Sequence, residues 1–165
     1  MKGNHLILIG FMGAGKTTVG KGYARKHYRR FIDTDELIVR KAGMSIPEIF
    51  KTRGEETFRQ LETEVLRDLL AESSQAVISV GGGLPLREEN RCLLHQLGKV
   101  VYLDISAGEV WRRLKGTSDR PLLEGGDAGE KIEALLGKRR PIYEQTADQV
   151  ISVNDKTPEE VINEL

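Results

Sequence analysis

The sequence predicts a three-layer α/β/α fold, a parallel sheet covered by helices on both faces. Three observations carry this. Short apolar runs alternate with segments of helical pattern along the chain, which is the signature of a parallel α/β sheet with right-handed crossovers. The first run is followed directly by a glycine loop and then a helical segment. The length of 165 residues suits one domain large enough to bury a sheet on both sides, and leaves no room for a second full domain.

Taken in order, His5 to Ile9 is an apolar run ended by glycine, and reads as a buried parallel strand. The residues after Gly15 have the length and composition of a helix. Phe31-Ile32, Ala76 to Val80, Lys99 to Leu103 and Gln149 to Val153 are the further strand candidates. Ser45-Ile46-Pro47-Glu48 and Thr157-Pro158-Glu159-Glu160 both read as capping boxes, with proline in the first turn where no amide donor is needed. Between Glu55 and Leu70 the apolar Phe58, Leu61, Val65, Leu66 and Leu69 recur at helical spacing, leaving Arg59, Glu62 and Glu64 off the stripe. From Arg112 to Asp127 the pattern lapses into Gly116, Thr117, Ser118, Pro121, Gly125 and Gly126, so this stretch is the candidate mobile segment.

Composition excludes several classes of function. The 25 Lys+Arg and 25 Asp+Glu cancel, so no whole-molecule field recommends nucleic acid or an anionic membrane as a partner. The single Cys92 rules out an internal disulfide, and His5, His27 and His95 have no zinc-ligand spacing. The apolar run near the start is too short for a signal or membrane segment. The expectation is a soluble, cytoplasmic protein starting at residue 1, and a monomer, because no heptad or apolar stripe asks for a partner.

The chemistry starts at Gly10-Phe11-Met12-Gly13-Ala14-Gly15-Lys16-Thr17, a G-x-x-x-x-G-K-[ST] loop between a strand and a helix. Its glycines let successive backbone amides converge on phosphate oxygens at a helix N-terminus. Lys16 supplies a point charge to the β- and γ-phosphates, and Thr17 offers a hydroxyl to Mg2+. Nucleoside triphosphate binding is the strongest inference from these residues. The loop alone does not choose among GTPase, motor and kinase. No Asn-Lys-x-Asp for reading guanine occurs, since Asn154-Asp155-Lys156 has the wrong order.

Two acidic positions compete for the metal and acceptor side. Asp104 follows the apolar Val100-Val101-Tyr102-Leu103, but also reads as a turn or helix-start aspartate. Asp33-Thr34-Asp35 follows Phe31-Ile32, and carboxylates at i and i+2 of a strand end project to one side, so both could face the nucleotide. Gly81-Gly82-Gly83 ends another strand. It reads either as a tight turn or as a place where a ligand approaches bare backbone.

These motifs, with Phe58-Arg59-x-x-Glu62, Arg120-Pro121-Leu122-Leu123 and Arg139-x-Pro141-x-Tyr143, resemble those of the shikimate kinases, in the same order and over nearly the whole chain. The resemblance implies a P-loop kinase fold with a five-stranded parallel sheet of order 2-3-1-4-5, similar to nucleoside monophosphate kinases. It implies transfer of the γ-phosphoryl of ATP to the 3-hydroxyl of shikimate, with Mg2+, on the route to chorismate and the aromatic amino acids. It also implies a mobile lid at about 113–126 and a substrate-binding helical region at about 34–70. On that resemblance Gly13, Ala14, Gly15, Lys16, Thr17 and Thr18 hold the ATP phosphates. Asp35 contacts and orients or deprotonates the attacking hydroxyl, and Asp33 serves Mg2+ through water. Arg59 and Arg139 clamp the substrate carboxylate, as a planar guanidinium does bidentately. Gly81, Gly82 and Gly83 let backbone reach the substrate. Lys16, Asp35 and Arg120 form the catalytic set, Arg120 being the lid arginine. Arg113, with Arg112 as its rival, stacks on adenine, and the adenine loop runs from Asn154 to Pro158; there Val153-Asn154 replace the family's frequent Asp-Thr. Glu62 is placed to pair with Arg59 one helical turn away. Other kinases of the same fold, acting on gluconate or a nucleoside monophosphate, should lack the full set of motifs. An ATP-binding regulatory module with a decayed acceptor site is the alternative from another class.

Overall fold

A computed structural model describes residues 3–114 and 128–165 of the chain. The elements run β1 (His5–Ile9), α1 (Lys16–Lys26), β2 (Arg30–Asp33), α2 (Thr34–Ala42), α3 (Ile46–Arg53), α4 (Glu55–Leu69), β3 (Ala76–Ser79), a 3-10 turn (Leu84–Leu86), α5 (Glu88–Leu97), β4 (Gly98–Asp104), α6 (Ala107–Leu114), α7 (Ala128–Thr146), β5 (Gln149–Ser152) and α8 (Pro158–Glu164). The five strands form one parallel sheet of order β2-β3-β1-β4-β5. Each candidate strand in the sequence is one of these five, with ends differing by a residue or two.

β1 is central: Ile7 lies opposite Ile78 of β3 on one side and Val100 of β4 on the other. All five β1 residues are buried, as is expected of a strand with helices on both faces of its sheet. α1 packs on β1, β2 and β3 with α8 beside it, while α5 and α7 pack on β4. α1 carries two glycines because its neighbours come close. A Cβ at Gly20 would meet the Phe31 ring at 2.6 Å, and one at Gly22 would meet Ile162 of α8 at 2.5 Å.

One reading of local sequence changes in the structure. The box at Thr157 is reciprocal, but Ser45 makes only the forward half, its hydroxyl accepting from the Glu48 amide at 3.3 Å. Pro141 lies inside α7, where a proline removes one backbone hydrogen bond of the helix. Tertiary contacts on both sides of it hold that helix together, as described below.

Candidate active site

The loop between β1 and α1 adopts a backbone path that side chains resist. Gly10, Gly13 and Gly15 have φ of 152°, 82° and 89°, all in the region that favours glycine. Gly15 is the N-cap of α1 and no side chain caps that helix, so its first amides are left to an anion. Lys16 folds back over the loop, donating to the carbonyls of Gly10 at 2.7 Å and Phe11 at 3.2 Å. Gly13, Gly15, Lys16, Thr17 and Thr18 line a cavity of about 310 Å3 whose opposite wall is Asp33, Asp35 and the Ser79–Gly82 stretch. Ala14, Gly15 and Thr18 also line a second cavity of about 210 Å3, closed by Arg113, Lys156 and Pro158. The loop therefore sits between two hollows that share Gly15 and Thr18.

Asp33 and Asp35 do face one cavity, but not for the reason of strand alternation. Asp33 is the last residue of β2 and the N-cap of α2, and its Oδ1 accepts from the Asp35 amide at 2.9 Å. Asp35 is already in the first turn of α2. Capping, not pleat, turns both carboxylates toward the loop. The Asp35 Oδ1 atom is buried and has no hydrogen-bond partner among the described residues. Burial, and then the neighbouring Asp33 charge, raise the pKa of Asp35 against the pull of Lys16 and Arg59. Burial likewise raises that of Asp33. Asp104 lines neither hollow. It accepts from the Tyr102 hydroxyl at 3.0 Å and lies 3.6 Å from Arg140, which is a structural assignment for the competing acid.

The glycine triplet follows β3 and is a floor for four side chains. A Cβ at Gly81 would stand 3.2 Å from Asp35 Oδ1 and 3.3 Å from Glu62 Oε2. One at Gly82 would stand 3.1 Å from Arg139 Nη1, and one at Gly83 only 2.7 Å from Arg59 Nη1. The absent side chains thus leave room for Asp35, Glu62, Arg139 and Arg59 to converge. The far end of the triplet is tied down by Asn90, which is buried and donates to the Leu84 carbonyl at 2.9 Å. Arg139 also lies over the Phe11 ring, 5.6 Å from its centroid, which sets this arginine beside the phosphate loop. Sequence reading gave no part to Phe11, Asn90 or the Tyr143 hydroxyl. For Tyr143 the signal was its i,i+4 spacing from Arg139.

Arg59 donates to Glu62 at 2.7 Å, the i,i+3 pair the helix spacing predicts, and reaches Glu55 at 3.5 Å. Glu62 is 1% exposed, and burial outweighs the pull of Arg59, pushing its pKa up to about 7. The sign follows by linkage. A carboxyl whose pKa is higher folded than unfolded adds stability below the ordinary 4.5, and that stability is lost as pH rises to about 7. For Glu62 the loss is on the order of 3 kcal/mol. Glu62→Gln is therefore expected to flatten the decline of melting temperature across that window. Parallel curves for the two proteins would show that Glu62 holds no proton there.

Of the two arginines that compete beside the second hollow, Arg113 is the one against the loop. Its Nη1 donates to the Gly13 carbonyl at 2.8 Å, its Nη2 to Val153 at 3.4 Å, and its Nε to Glu109 at 2.9 Å. Arg112 is 74% exposed and pairs with the same Glu109. Asn154 receives the Ser106 amide at 3.1 Å, which ties the stretch after β5 to the start of α6. Arg120 and residues 115–126 of the expected lid lie outside the described residues.

Comparison with known proteins gives the chain a family. The family model described as shikimate kinase matches residues 12–165. A shikimate kinase of Thermodesulfovibrio yellowstonii is 44% identical over 161 residues, covering 98% of this chain and 92% of its own. The solved structure of shikimate kinase from Acinetobacter baumannii in complex with shikimate is 37% identical, with a TM-score of 0.90 over 98% of this chain and 90% of that one. That from Aquifex aeolicus is 41% identical, with a TM-score of 0.83 over 97% and 92%. With its sheet order, its phosphate loop and a family match over nearly its whole length, the chain belongs to the shikimate kinase family.

Proposed function

We propose that the protein transfers the γ-phosphoryl group of ATP to the 3-hydroxyl of shikimate, giving shikimate 3-phosphate and ADP for aromatic amino-acid synthesis. The observation that carries this is the position of Asp35 Oδ1, a buried acceptor without a partner among the described residues. It lies in the wall of the cavity that the phosphate loop and the glycine triplet share. A buried acceptor of this kind calls for a donor, and a substrate hydroxyl supplies one.

The residues divide the work. The amides at the start of α1 and the Lys16 ammonium hold the triphosphate, and Lys16 leaves the carbonyls of Gly10 and Phe11 to do so. Thr17 and Asp33 line the same cavity and are hard oxygen donors, a set that fits Mg2+. Thr17 directly, and Asp33 through water, would hold the ion beside the nucleotide's phosphates. When bound, Mg2+ neutralises charge on the phosphates. Asp35 accepts the proton of the attacking hydroxyl, and its raised pKa makes it a better base than an ordinary aspartate. Arg59 and Arg139, set against Gly83 and Gly82, bind the carboxylate of the acceptor and thereby aim its hydroxyl. Arg113 and Pro158 wall the second hollow, which suits the adenine. Arg120, on the segment 113–126, closes on the transferred phosphoryl in this reading.

The protein acts as a cytoplasmic monomer without nucleic-acid or membrane partners in this reading. None of the described helices is long and apolar enough to cross a membrane. ADP release should be followed with Mg-ATP and, in turn, shikimate, gluconate and nucleoside monophosphates. Turnover with shikimate alone is the expected result. Equal turnover with another acceptor would overturn the assignment.

A further inference from the structure

The Tyr143 hydroxyl has no part in the roles assigned above, yet its surroundings are those of the carboxylate site. Tyr143 lies one turn beyond Arg139 on α7, so the two side chains leave the helix on one side. Its hydroxyl donates to the Gly82 carbonyl at 2.5 Å. Burial raises the pKa of this phenol, only partly offset by the Arg139 guanidinium beside it, so it remains a proton donor at neutral pH. Gly82 in turn stands against both groups: a Cβ there would be 3.1 Å from Arg139 Nη1 and 3.6 Å from Tyr143 Oη.

The ring and the hydroxyl have separable duties. The ring is fully buried and packs on Tyr102, with centroids 5.0 Å apart. On the other side of Pro141, Arg140 lies 3.6 Å from Asp104 and donates to the Ile105 carbonyl at 3.3 Å. These contacts hold α7 to β4 and to the chain just beyond it without help from the Tyr143 oxygen. What the oxygen adds is a tie between α7 and the glycine turn. A turn of three glycines has little stiffness of its own.

We propose that Tyr143 is a positioning residue for recognition of the acceptor's carboxylate: its hydroxyl fixes the Gly82 turn to α7 and so holds the Arg139 guanidinium at its place above that turn. The proposal rests on the reading of Arg139 as a carboxylate ligand. It predicts that losing one oxygen, with the ring kept, weakens acceptor binding and leaves the nucleotide side alone.

The test is steady-state kinetics with Mg-ATP and shikimate on the whole protein, Tyr143→Phe and, as a control, Tyr102→Phe, which loses a buried hydroxyl from the adjoining ring. For Tyr143→Phe the KM for shikimate should rise about ten-fold, the worth of one hydrogen bond whose buried acceptor is left unpaired. The KM for ATP should stay within about two-fold, and Tyr102→Phe should leave both unchanged. Partial unfolding of a variant lowers the active fraction and hence the apparent kcat, but not KM, so a loss of stability does not mimic this result. An unaltered KM for shikimate overturns the proposal. So does an equal rise in both KM values, or a Tyr102→Phe that behaves like Tyr143→Phe, because these are signs of packing alone. If the unmodified protein fails to consume ATP with shikimate, the assigned reaction falls, whatever Tyr143 does.

Discussion

Asp35→Asn is expected to lower kcat by about two to three orders of magnitude while the KM for ATP changes by less than about two-fold. The amide keeps the shape of the carboxylate but cannot take a proton, so the loss belongs to the chemical step. The same variant is expected to melt at an equal or higher temperature at neutral pH. A carboxylate whose pKa is raised by burial and by Asp33 costs stability when ionised, and the neutral amide escapes that cost. Kinetics and calorimetry on one protein therefore give opposite signs, which unfolding could not produce. Unchanged turnover would remove Asp35 from the reaction.

The second large effect is expected on the carboxylate side. Arg59→Lys should raise the KM for shikimate by about 10- to 100-fold, because an ammonium cannot reproduce the two parallel bonds of a guanidinium. Gly83→Ala should act in the same direction without removing any charge. Gly83 has φ of −90°, which alanine adopts without strain, so the backbone tolerates the change. The added methyl would instead fall 2.7 Å from Arg59 Nη1 and 2.8 Å from Nη2, and the guanidinium must move. Kinetics with shikimate varied at saturating ATP would show both effects. A normal KM in Gly83→Ala would mean that Arg59 is free to bind the substrate from another position.

Local sequence rules reach no further than neighbouring residues. Strand alternation predicts that Asp33 and Asp35 face one way, yet the cap of α2 is what brings them together. Asp104 satisfied the motif of an acid after an apolar strand, and its partners proved to be Tyr102 and Arg140. Nothing within a few residues of Asp104 could have revealed Arg140, which comes from α7. Arg112 and Arg113 are neighbours in one helix and chemically alike. Only the direction each takes from α6 separates the one that reaches Gly13 from the one left in solvent.

By itself the sequence determined the strand–loop–helix at the start, the five strands, the phosphate loop and the family. Each of these is set by bonds and backbone preferences within a short stretch, such as glycines at positive φ or apolar runs between turns. Tertiary structure alone decided how Asp35, Glu62, Arg59 and Arg139 meet over three glycines, and that Tyr143 and Phe11 stand beside them. Those contacts join α2, α4, α7 and the two loops after β1 and β3. No local rule governs the distance between such elements, which is set by the packing of helices on a common sheet.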